Sequence, residues 1–152
     1  MRRLSGVVLA GAILMLPVFS QNAGVQAQAP QKLTMEGDLA LWSVAIRPDK
    51  TADFEKIMGK IKEALSKSEA AEAKQQLAGW KVVKMSKPMP DGNIIYTHVI
   101  TPVKDADYNI LQVLYATFKD PAEQKELYEM YRGAFAANLG ISSGTVAADL
   151  SK

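Results

Sequence analysis

Apolar positions follow three rhythms along this chain, and each predicts a different kind of element. Residues Leu4 to Phe19 form an uncharged apolar run, preceded by Arg2 and Arg3 and followed by a short polar stretch that ends in small residues. From Leu39 to Arg47 the run L-A-L-W-S-V-A-I-R alternates between two faces that are both apolar, and Pro48-Asp49 follows it. This predicts a strand that needs cover on both sides. Thr51 then offers a cap to a helix in which Phe54, Ile57, Met58, Ile61 and Leu65 recur at helical period. Ser66-Lys67-Ser68-Glu69 has capping-box spacing and predicts a second helix to about Leu77, with Gly79 ending it in a left-handed turn.

Two further strands, Trp80 to Ser86 and Asn93 to Val103, flank Lys87-Pro88-Met89-Pro90-Asp91-Gly92, which favours a reversal. A helix is expected from Asp107 to Phe118. Asp120-Pro121-Ala122-Glu123 starts another, with Asp120 as N-cap and Pro121 at the first helical position. Leu127, Tyr131, Ala134, Phe135 and Asn138 are expected on its inner face and Gly140 at its end, leaving Thr145 to Leu150 as a weak candidate for a final strand. The order is β-α-(α)-β-β-α-α-(β), an α+β arrangement of the split βαβ kind. An antiparallel sheet is covered by helices on one face.

The opening run has the layout of a secretory signal peptide. Two cleavage sites compete, Val25-Gln26-Ala27 and Ala27-Gln28-Ala29, and Pro30 directly after the second favours the first. An uncleaved membrane anchor is the alternative, but Pro17 and the Gln/Asn-rich stretch after Ser20 shorten the apolar part. The expected organisation is a signal at 1–27, an N-terminal extension at 28–38 and a single α+β domain at 39–152. Its expected location is the periplasm or the exterior of the cell.

Composition then narrows the classes. The chain has no cysteine, so a lipoprotein anchor, a disulfide scaffold and a thiolate metal site are excluded. The 152-residue chain carries 18 basic and 16 acidic residues; subtracting Arg2 and Arg3 leaves 16 of each, a neutral mature domain of 125 residues. Its lysines alternate with glutamates, which gives no footprint for nucleic acid or an anionic membrane.

Five segments taken together carry a resemblance: the Leu39–Arg47 strand, P-D-K-T-A-D-F-E-K-I, A-G-W-K-V-V-K, N-I-I-Y-T-H-V-I and K-D-A-D-Y. Over about residues 39 to 138 they resemble a group of uncharacterised secreted bacterial proteins and, through them, the dimeric α+β barrel superfamily of ferredoxin-like folds. The resemblance implies two sheets packed face to face across a homodimer, with an interior that holds a ligand in some members. Those members include cofactor-independent monooxygenases and haem-degrading enzymes. The Asn-Trp-His set of the haem-degrading members is not carried over, because no Asn stands near the start of the first strand. A fold resemblance leaves function open.

The residues separately support association, since a sheet apolar on both faces leaves an exposed patch unless a second copy covers it. His98 is the only histidine and shares a strand face with Ile94, Tyr96 and Ile100. A lone histidine does not make the multi-histidine sites usual for zinc or non-haem iron, so no metal site is expected. Tyr96 and His98 are candidate ligand or proton-transfer groups, against the plainer reading of a core tyrosine and a hydrogen-bonded histidine. Trp42 and Trp80 are candidate pocket walls, and Arg47, at a strand end, is a candidate carboxylate grip. Glu55, Glu63, Glu69 and Glu72 are expected on exposed helix faces with no burial to shift them.

No nucleotide-binding, phosphate-loop, zinc-protease or serine-hydrolase motif is present, so no catalytic residue and no cofactor is assigned. The leading expectation is an exported, dimeric, non-enzymatic domain that binds a small apolar ligand and neither nucleic acid nor, once the signal is cleaved, membrane. Two alternatives stand beside it. One is a cofactor-independent monooxygenase-like enzyme with His98 as proton shuttle and Tyr96 and Trp42 as walls, and the other is a non-catalytic envelope interaction protein.

Overall fold

A computed structural model describes residues 31–150. The signal segment expected at 1–27 lies outside them. Four strands, β1 (Leu39–Ile46), β2 (Trp80–Lys84), β3 (Ile94–Ile100) and β4 (Phe135–Gly144), form one open sheet in the order β2-β3-β1-β4. All neighbours are antiparallel. Four helices complete an α+β domain: α1 (Thr51–Lys67), α2 (Ala73–Gly79), α3 (Ile110–Thr117) and α4 (Pro121–Ala134).

The helical stripe of α1 buries Phe54, Ile57, Ile61 and Leu65 against the sheet. Its start differs from the expectation. A 3-10 turn over Pro48–Lys50 leads in, Lys50 is the N-cap and makes no side-chain cap, and Lys50 Nζ instead meets the Asp53 carboxylate at 3.0 Å. The Ser-x-x-Glu spacing at Ser66 does not start a helix either. Ser66 is still inside α1, where its hydroxyl donates to the Lys62 carbonyl at 2.7 Å, the local alternative open to a mid-helix serine. Gly79 does end α2, but not through a positive φ. A Cβ there would stand 3.0 Å from the Thr101 carbonyl oxygen and 3.1 Å from the Thr101 Cβ, so the close approach of the backbone just after β3 favours glycine.

At α4 the Asp120 carboxylate accepts from the Glu123 amide at 2.9 Å with Pro121 behind it, as the sequence predicts. The other end is corrected. The helix stops at Ala134, and Phe135–Gly144 is the final strand; Thr145–Leu150 is not one. Ala136, Ala137 and Leu139 favour continuing the helix, yet central strand β1 has a free edge, and tertiary pairing overrides that weak preference. Two register shifts, between Ser43 and Val44 and between Ala45 and Ile46, fit the segment to β1, with Gly140 at φ +107° beside the first.

The helices cover one face of the sheet. Ala40, Trp42, Val44 and Ile46 of β1 and Tyr96, His98 and Ile100 of β3 belong to the core they bury. The segment before β1 is docked to the domain: Met35 is buried, the Leu33 amide donates to Asp107 at 3.0 Å, and the Tyr108 amide donates to the Leu33 carbonyl at 2.8 Å.

Candidate functional site

Two surfaces of the sheet compete for a functional role, and the alternation of β1 and β3 assigns residues to each. On the helix side the cross-strand register sets Trp42 opposite His98, with Val82 of β2 opposite His98 on its other flank. Paired residues share a face, so the ring of Trp42 stacks on the imidazole with centroids 4.7 Å apart and planes 21° apart. Trp80, at the first position of β2, donates its indole N–H to His98 Nδ1 at 2.9 Å. The edge of Phe54 closes the set at 6.1 Å. Four of the five predicted site residues, Trp42, Trp80, Tyr96 and His98, therefore meet in the domain core.

That environment determines the state of the imidazole. Indole nitrogen is a donor only, so Nδ1 accepts and the neutral ring carries its proton on Nε2. Nε2 is buried and has no hydrogen-bond partner among the described residues. His98 is wholly inaccessible, and burial pulls its pKa from 6.5 to about 4. At neutral pH the ring is uncharged, with one nitrogen occupied and the other facing no acceptor.

Tyr96 lies two residues along the same face, and its hydroxyl donates to Glu55 of α1 at 2.6 Å. Lys84 joins the same carboxylate oxygen at 3.0 Å. The hydrogen bond from Tyr96, reinforced by the one from Lys84, holds the Glu55 carboxyl below its usual range, while burial, with Glu55 adding to it, pushes the Tyr96 hydroxyl up. Glu55 is thus not the uninvolved surface carboxylate its helix position suggests, and Glu63 is lowered in the same way, first by Lys67. Both shifts favour the ionised form, the opposite of what a general acid requires. The depression that reaches the aromatic set is a small one of about 60 Å³ beside Trp80, lined by Met58, Ile61, Leu65 and Leu77 among others.

Sequence reasoning missed the residue that locks Trp42. Asn138 accepts from the Trp42 indole at 3.0 Å through its side-chain oxygen, which also takes the Gly140 amide at 3.1 Å. Its expected place on a helix concealed this role. Pairing of Val44 with Asn138 next to the β1 irregularity brings the amide to the indole.

Among the described residues, no helix covers the opposite face of the sheet. Leu39 and Leu41 of β1 and Val83 of β2 are exposed there at 40%, 41% and 45%, beside the half-buried Ile95 and Val99 of β3. At the centre Ser43 and Thr97, directly opposite each other, join their hydroxyls at 2.9 Å. A groove of about 330 Å³ runs off this face at the β1–β4 end, lined by Leu39, Leu41, Val146 and the Ser142–Thr145 segment. None of these was a predicted site residue, although the same period-2 pattern that selected Tyr96 and His98 selects them on the other face.

Arg47, the fifth predicted residue, stands apart from the aromatic set. It follows β1 and lies by the end of α4, where its amide donates to the Ala134 carbonyl at 3.0 Å. Among the described residues no group of three or more His, Cys, Asp or Glu is placed to hold a metal, and no helix is long and apolar enough to cross a membrane. No family model, curated protein or solved structure matches the chain.

Proposed function

We propose that this is an exported, non-catalytic α+β domain of ferredoxin-like topology that dimerises through its uncovered sheet face and binds a small apolar ligand between the two sheets. The observation that carries the reading is the face left free of helices among the described residues, where Leu39, Leu41, Val83, Ile95 and Val99 surround the Ser43–Thr97 hydroxyl pair and polar Lys81 and Ser142 stand beside them. An apolar face of this kind, in a cysteine-free domain that is neutral without residues 1–27, is covered most economically by a symmetric copy. The strand order β2-β3-β1-β4 and the segment resemblance agree with a dimeric barrel. Export rests on the signal layout of residues 1–27. The monooxygenase-like alternative needs a reachable proton-transfer group, and the packed state of His98 speaks against it.

Thermal shift with residues 28–152 and three probes, haem, a quinol and a long-chain fatty acid, tests where a ligand binds. The expected result is stabilisation by an apolar probe that Leu41→Lys removes and His98→Phe keeps. Stabilisation lost in His98→Phe but kept in Leu41→Lys would move the site to the aromatic core and favour the enzyme. No stabilisation by any probe, with the dimer intact, would leave the envelope interaction reading in place of ligand binding.

A further inference from the structure

We infer that Arg47, Arg132 and Tyr128 form a binding site for one oxyanion group, a carboxylate or a phosphate, on the surface where α4 gives way to β4. These are the only two arginines among the described residues, they come from different elements, and both line one depression of about 440 Å³ with Tyr128, Glu129 and Gly133. Local structure holds them there. The Arg47 amide bonds to the last carbonyl of α4 at 3.0 Å, and Arg132 Nη1 donates to the Tyr128 hydroxyl one turn back at 3.2 Å. A Cβ added at Gly133 would meet nothing within 4 Å, so the space beside Arg132 is open.

The charges are distributed unevenly. The ion pairs found among the described residues are made by lysines: Lys50, Lys56, Lys60, Lys67, Lys84 and Lys125. Neither arginine takes part in them. Glu129 borders the depression and opposes an anion, but its carboxylate faces Lys125 at 3.8 Å. Compensation of the α4 C-terminal dipole accounts for one cation in the last turn. It does not account for a second one just after β1 or for the tyrosine. Tyr128 accepts from Arg132, which leaves its own O–H free to donate outward. Two guanidinium forks and a phenol O–H turned outward supply donors suited to two or three oxygens of one anion. The site is shallow, so it takes the charged end of a ligand and leaves the remainder in solvent. It is separate from the open sheet face and does not depend on dimerisation.

The test is an NMR titration of the arginine Nε–H and Tyr128 signals with inorganic phosphate or acetate, against sodium chloride at constant ionic strength. Saturating shifts are expected at Arg47, Arg132 and Tyr128, at least tenfold weaker binding in Arg47→Gln, and a similar loss in Arg132→Lys. The lysine variant keeps the charge that the helix end needs, so its loss reports the fork and not folding. Saturation by phosphate alone assigns a phosphoryl ligand, by acetate alone a carboxylate, and by both a general oxyanion site. Shifts that stay linear in all three salts, or that persist unchanged in both variants, overturn the inference.

Discussion

At the residue scale the centre of the domain is an imidazole kept neutral by its surroundings. Tyr96 and His98 on one strand face are legible in the sequence, because strand alternation needs only local spacing. Their partners are not, since Trp80, Glu55 and Trp42 arrive from three other elements, up to 56 positions away in the chain. The buried ring also makes a pH prediction. Its folded pKa of about 4 lies below the ordinary 6.5, so the unfolded chain binds the extra proton first as pH falls. The contribution is fully present above 6.5, is lost as pH falls from there to about 4, and amounts to on the order of 3 kcal/mol. Urea unfolding of the wild type and His98→Phe between pH 7.5 and 4 checks it. The wild-type stability should drop over that range by this much more than the variant's, and parallel curves would contradict the assignment.

At the element scale, agreement and disagreement have one explanation. Strand β1, helix α1, the β2–β3 hairpin and the Asp120-Pro121 start of α4 are specified by periodicity and short-range caps, so they follow from the sequence within a few residues. Strand β4 is specified by the vacant edge of β1, a feature that exists only after the rest of the sheet has formed. Its Ala-Ala-Asn-Leu segment carries the opposite local preference. Gly79 illustrates the same division, since a helix-ending glycine was legible and the pressure of Thr101 against it was not. Replacing Gly79 by Ala forces backbone apart at the α2–β3 contact and should cost about 1–3 kcal/mol. Gly133→Ala, whose new methyl meets open space in a helix, should be neutral or stabilising by up to about 1 kcal/mol. Thermal melts of the two variants side by side would contradict this packing account if Gly133→Ala proved the more damaging.

At the scale of the whole molecule, the domain divides its apolar residues between a face sealed by helices and a face left bare. The sealed face uses its aromatic and polar tips for internal hydrogen bonds and stacking, so Trp42, Tyr96 and His98 are core residues with Trp80 packed against them. The bare face sets the Ser43–Thr97 pair, Lys81 and Ser142 among its apolar side chains. The sequence of β1 shows its two-sided apolar character. Which side the helices would take was not, because both sides of that strand are apolar and the choice depends on where α1 packs.

The central claim is that a second copy covers this face, and sedimentation equilibrium of residues 28–152 across a concentration series tests it most directly. The account predicts a species of twice the chain mass that Val99→Glu converts to a folded monomer with unchanged circular dichroism. A wild-type chain that stays monomeric at every concentration, or a Val99→Glu variant that remains dimeric, would contradict it.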